Sequence, residues 1–168
     1  FRRDLRRSDW VVRADTAFAD VIAQCAQLPR RGQRGTWITA DMQHAYLDMH
    51  RLGHAHSVEV FDETGDQRRL VGGIYGIAVG RMFFGESMFS GDTGGSKVAL
   101  AALACRLAGW GWPLIDAQVE NPHLLGLGGI RLDRAIFASE IRRLVVLPGV
   151  DGSWTGPFGT MVAAGLAD

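Results

Sequence analysis

The sequence predicts an α/β chain of the α+β kind, with a mixed, largely antiparallel sheet flanked by helices. Three observations predict it. Between residues 57 and 85, β-rich runs follow one another with only turn-length breaks, as in an antiparallel meander. An Ala-rich helical run, Ser96 to Ala108, comes next. Pro113 then introduces one more apolar strand, which runs into further helical segments.

Taken in order, Asp9 to Ala14 reads as a short strand with Trp10 and Val12 on one face, and Thr16 to Gln27 as a helix with Thr16 as its N-cap. Pro29 to Gly35 is a basic turn. A second helix is expected from Asp41 to Leu52, where Met42, Ala45, Tyr46 and Met49 recur at helical spacing and Gly53 supplies the stop. Ser57 to Phe61 alternates as a strand does, and Gly65-Asp66 marks a turn. Leu70 to Ala78 is rich in β-formers, and Arg81 to Gly85 is a third strand after the Gly80 turn. The Ala-rich helix, N-capped by Ser96 and closing near Gly109, can lie close on a sheet. Leu114 to Val119 is expected to be a buried strand. A broken helix near Pro122 to Gly128 and a longer one from Asp133 to Leu144 follow. The Gly- and Pro-rich stretch from Pro148 reads as a loosely attached tail. The expected division is a basic N-terminal segment over 1–35, the main domain over 36–147 and the tail over 148–168. There is no internal repeat.

At 168 residues the chain can bury one proper core, and 47% hydrophobic with 21% charged residues is an ordinary globular balance. The longest apolar stretch, around Val98 to Ala108, is broken by Arg106 and falls short of membrane-spanning length, so no membrane partner is expected. Phe1-Arg2-Arg3-Asp4 does not open a signal peptide, and Cys25 and Cys105 form no disulfide framework. A reducing, cytoplasmic setting is therefore expected. The first residue is not Met, so the chain is expected to be a fragment or a trimmed product. A net charge of zero excludes a protein that coats nucleic acid by charge alone. Lys97 is the only Lys among 18 basic residues.

Two short runs hold the side chains best suited to chemistry: Gly85-Glu86-Ser87-Met88-Phe89-Ser90 and Leu114-Ile115-Asp116-Ala117-Gln118. Each sets polar groups beside bulky apolar ones, as a site must to grip a hydrophobic group while acting next to it. In a strand, Asp116 and Gln118 point to one face, where the carboxylate can hold the amide in a fixed orientation toward a substrate. The same pair can equally serve only to satisfy loop backbone groups. Glu86 is either a surface carboxylate or, beside Phe83, Met88 and Phe89, a partly buried one suited to a cationic amine. Leu100, Leu103 and Leu107 form one helical stripe, as core residues do. Lys97 opposes the macrodipole at its helix N-terminus, and either reaches solvent or meets an anion such as a phosphate. His50, His54 and His56 can be drawn as a zinc site, but no fourth ligand is evident and no metal is expected. Gly85 to Phe89 lacks the closing Gly of a nucleophile elbow, and Gly94-Gly95-Ser96-Lys97 has Ser before Lys, unlike a P-loop. Arg2, Arg3, Arg6 and Arg7 would share one face if helical.

Several runs, in one order, resemble the leucyl/phenylalanyl-tRNA–protein transferases. They are Thr36-Trp37-Ile38-Thr39, Gly53-His54-Ala55-His56-Ser57, Gly72-Gly73-Ile74-Tyr75-Gly76, the two runs above, and Asn121-Pro122-His123-Leu124. The resemblance covers residues 1–145. It implies a GNAT-like acyltransferase fold, which the strand-and-helix order also matches. It implies an aminoacyltransferase that moves Leu or Phe, or Met, from aminoacyl-tRNA (Leu-tRNA, Phe-tRNA) to proteins or peptides with N-terminal Arg or Lys, marking them for degradation. By the same resemblance, Asp116, Gln118 and Glu86 belong to the active site, and no metal is used. Ile74, Phe83, Met88, Leu100, Leu103 and Leu107 would line a pocket for the transferred side chain. No cofactor is expected. In a protein that handles tRNA, Arg2, Arg3, Arg6, Arg7 and Lys97 are the expected phosphate contacts. Members of that family carry a further N-terminal domain, and the resemblance implies that this chain begins after it. Gly126 stands where the family usually has a Ser before Leu-Gly. Two other readings are a CoA-dependent N-acyltransferase, for which no Gly-rich pyrophosphate loop is evident, and a non-catalytic tRNA- or peptide-binding remnant.

Overall fold

The computed structural model describes residue 5, residues 9–27 and residues 36–167. The Arg2, Arg3, Arg6 and Arg7 patch and the basic turn Pro29 to Gly35 lie outside the described residues. Apolar residues at two-residue spacing make β1 (Val11–Ala14), which buries Val12 and Ala14. Helix α1 (Phe18–Gln27) and helix α2 (Ala40–Arg51) come before β2 (Ala55–Asp62), β3 (Arg69–Val79) and β4 (Met82–Ser90). Then follow α3 (Gly95–Gly109), β5 (Leu114–Asp116), α4 (Pro122–Gly126) and α5 (Arg134–Leu144). The described chain closes with α6 (Thr155–Phe158), β6 (Met161–Val162) and a 3-10 turn, Ala163–Ala167. No helix among the described residues is long and apolar enough to cross a membrane.

The strands form one six-stranded sheet in the order β5-β4-β3-β2-β1-β6. Every pairing is antiparallel except β4 with β5, which are joined through α3 and run parallel. The expected α/β class, with a mixed and largely antiparallel sheet, is what the chain adopts, and the order is compatible with a GNAT-like acyltransferase. Side chains from successive strand residues enter different cores. Ile74 joins Val58, Phe83 and the α3 residues Ala99 and Leu103, while Tyr75 joins Phe18, Ile22 and Tyr46 from α1 and α2. Both faces of the sheet are thus covered. That is why β2 is buried without a break from Ala55 to Phe61, although the sequence alternates there.

Four local expectations are corrected. Thr16 does not cap α1; its amide and hydroxyl donate to the buried Glu59 carboxylate at 3.2 and 2.8 Å, and the helix starts at Phe18. Ser96 does not cap α3, because Gly94 holds that position at φ +96°. The Ser96 amide instead donates to Ser90 Oγ at 2.9 Å, so a residue of β4 supplies the side-chain acceptor for the helix start. The expected strand Leu114 to Val119 stops at Asp116, since Gln118 takes φ +61°. The stretch after Pro148 is no loose tail.

Its Trp154 and Phe158 are fully buried, and β6 pairs with β1. A polar cluster holds it there. Asp15 Oδ2 accepts from the Trp154 amide at 2.7 Å and faces His56 Nδ1 at 2.8 Å, while Oδ1 accepts from the Ser57 amide at 2.9 Å. The Trp154 ring stacks on His56 with centroids 3.9 Å apart. A buried carboxylate needs partners of this kind to be tolerated.

Candidate functional site

β4 carries one more residue than β3 opposite. Tyr75 pairs with Ser87 and Gly76 with Gly85, so Glu86 is left over as a bulge. A bulge bends its strand and re-aims the extra side chain. On its other side β4 pairs with β5 only from Met82 to Phe84, against Leu114 to Asp116. Beyond that point β4 continues to Ser90 while the chain leaving β5 turns away. The parting opens a cleft of about 790 Å³.

Its apolar lining comes from Ile74 of β3, Met88 of β4, Leu100 of α3, Ile115 of β5 and Leu124 of α4. Its polar lining includes Glu86, Gln118, Asn121 and His123, with Trp37 at the rim. The carboxylate of Glu86 lies against the Tyr46 phenol. Burial first, then the charge of Glu86 and a hydrogen bond to it, push that phenol's pKa well up. Tyr46 itself is held by α2, whose start is fixed by Thr39 Oγ1 accepting from the Met42 amide.

Asp116 and Gln118 do come together, but not as neighbours on a strand face. Asp116 Oδ1 accepts from the Gln118 backbone amide at 2.8 Å, closing a tight turn around the left-handed Gln118. The Gln118 side-chain Nε2 then reaches across and donates to the Gly85 carbonyl at 3.0 Å. Gln118 therefore bridges the parting strands and lines the cleft, whereas Asp116 stands behind it and is not a lining residue.

The sequence-predicted pocket residues separate in the same way. Ile74, Met88 and Leu100 line the cleft. Phe83 and Leu103 are fully buried in the core under α3, and Leu107 borders a smaller hollow of about 490 Å³ at the other end of that helix. Lys97 lies half-buried in the first turn of α3 and does not line the cleft. His50 and His56 both face Asp15, at 3.9 and 2.8 Å, and stack on Phe18 and Trp154, while His54 is exposed.

Sequence reasoning gave no role to Trp37, Tyr46, Asn121 or His123. An exposed Trp just before a helix start is a usable signal for the first, and the Asn-Pro-His run is one for the last two. Tyr46 carried no signal, since its spacing fits a core position equally well.

A sequence model of the family described as leucyl/phenylalanyl-tRNA protein transferase matches residues 1–142, a span that includes every residue of the cleft. The chain belongs to that family. Members named leucyl/phenylalanyl-tRNA–protein transferase include one from Xanthomonas euvesicatoria, 65% identical over 168 residues, which are all of this chain and 66% of the relative. One from Xanthomonas oryzae is 64% identical over the same shares. One from Xylella fastidiosa is 58% identical over 166 residues, 99% of this chain and 67% of the relative. The chain thus spans 66% of the length of those Xanthomonas members of the family.

Proposed function

We propose that this protein is an aminoacyltransferase of the cytoplasm. It moves Leu or Phe from aminoacyl-tRNA to the α-amine of proteins that begin with Arg or Lys. One observation carries the reading: the cleft places a carboxylate and a pinned amide, Glu86 and Gln118, beside an apolar wall of Ile74, Met88 and Leu100. Relatives whose names state leucyl and phenylalanyl transfer from tRNA to protein support it.

The apolar wall receives the Leu or Phe side chain. Its discrimination is limited, because one methylene is worth only about 1–3 kcal/mol, so Met is a secondary substrate. Glu86 seats the cationic end of the acceptor. The ester is already activated, and an α-amine of pKa about 7.7–8.0 is partly neutral near pH 7, so attack needs chiefly positioning and oxyanion stabilisation. Gln118 offers an amide to the reacting amine or carbonyl, and Asp116 acts through it by fixing its turn. Arg2, Arg3, Arg6, Arg7 and Lys97 contact tRNA phosphates.

The test is transfer of labelled Leu from Leu-tRNA to a peptide beginning with Arg, with an N-acetylated peptide as control. Transfer to the free amine alone is expected, and Gln118→Ala is expected to slow it by ~10²-fold or more. No transfer, together with acetyl-CoA binding in a thermal-shift assay, would replace this reading with a CoA-dependent acyltransferase.

A further inference from the structure

Among the described residues, two lining side chains of the cleft are of ionisable type, Glu86 and His123. The first is engaged by the Tyr46 phenol. The other polar groups are committed or cannot carry a proton. Asn121 Oδ1 caps the start of α4 by accepting from the Leu124 amide, Gln118 donates to Gly85, and Ser90 donates to Ser96. The Asp116 carboxylate is turned to the Gln118 amide and stands behind the lining. His123 differs. It projects from α4, is exposed, and no hydrogen bond or ion pair engages its imidazole among the described residues.

The transfer reaction has a proton to move. The neutral amine attacks the ester carbonyl carbon and a C–N bond forms, which leaves a charged ammonium. The bond from that carbon to the ribose oxygen then breaks, and an alkoxide is a poor leaving group unless it is protonated. Imidazole is the side chain that both gives and takes a proton near neutrality. From these facts we infer that His123 is a catalytic residue, the general acid that protonates the departing ribose oxygen. It gives its proton to the oxygen as the C–O bond breaks and takes one from the ammonium, so the imidazole ends as it began. The products are the amide and a free ribose hydroxyl, and no other reactant is needed. This inference rests on the transferase reading above.

Substitution at this exposed position leaves the core untouched, so the variants are expected to fold as the wild type does. His123→Gln is expected to lower kcat on Leu-tRNA by ~10²-fold with KM unchanged. With a donor that carries the amino acid as a thioester, whose thiolate leaves without a proton and can itself take the one from the ammonium, the variant is expected to match the wild type. Added imidazole is expected to restore part of the rate of His123→Ala. Wild-type transfer with His123→Gln equally fast on the oxygen ester would overturn the role of His123 and leave the transferase reading standing. A loss equal on ester and thioester, without imidazole rescue, would also overturn it. If the wild type transfers nothing, the transferase reading fails and the role of His123 falls with it.

Discussion

Glu59 has no exposed surface and is held by the hydroxyl of Ser57 and by the hydroxyl and amide of Thr16. Burial outweighs those donors, which favour the charged form, and pushes its pKa up to about 7, with Asp15 adding repulsion. Between the ordinary glutamate value and about 7, the folded protein therefore binds more protons than the unfolded chain. The stabilisation from Glu59 is complete below that window and is lost as pH rises through it. Glu59→Gln is expected to gain on the wild type by roughly 2–3 kcal/mol between about pH 5 and about pH 8. Urea unfolding of both proteins at both pH values reads this directly. A gap of equal size at the two values would show that burial does not raise the Glu59 pKa in the folded state. The role of Glu59 was invisible in the sequence, where it is one polar residue in an alternating strand. Glu86 was visible because apolar neighbours flank it, yet the bulge that aims it depends on β3 opposite and has no local signature.

The start of α3 rests on β3 at a point where two glycines meet. A Cβ on Gly72 would lie 2.4 Å from the carbonyl carbon of Gly95, and backbone cannot yield as a flexible side chain does. Gly72→Ala is expected to cost about 1–3 kcal/mol and to pull Ser96 away from Ser90. Gly109→Ala, where a Cβ meets nothing within 4 Å, is expected to be neutral or slightly stabilising. Equal urea midpoints for both variants would mean that the close approach carries no energetic weight. The same contact explains what the sequence could and could not tell at this level. Helix and strand identities from α1 to α5 follow from periodicity and from turn residues such as Gly53 and Gly65. Their ends do not. The true acceptor at the start of α3 is Ser90 from a neighbouring strand, and β5 ends early because Asp116 captures the Gln118 amide. Both are contacts that periodicity does not encode.

In the whole molecule, the stretch after Pro148 departs furthest from what its sequence suggests. Its Gly and Pro content resembles that of a free tail, but four residues within it, Trp154, Phe158, Ala163 and Ala167, are buried against the sheet and α3. Trp154 touches the rings of His56, Phe83, Trp110 and Trp112. Trp154→Ala is expected to cost about 3–5 kcal/mol and to expose the stretch to limited proteolysis. A variant with unchanged stability and unchanged protease resistance would return that segment to the status of a tail.

The pairing of β1 with β6 joins Val11 to Val162, across about 150 residues of chain. Such a contact cannot form early on the ribosome, where synthesis delivers the N-terminal portion first. The strands that build the cleft, and the turn at Gln118, emerge well before Trp154. A nascent chain therefore has the strands of the cleft laid out while Asp15 and His56 still await Trp154. That side of the sheet closes when Trp154 and Phe158 follow and are buried there.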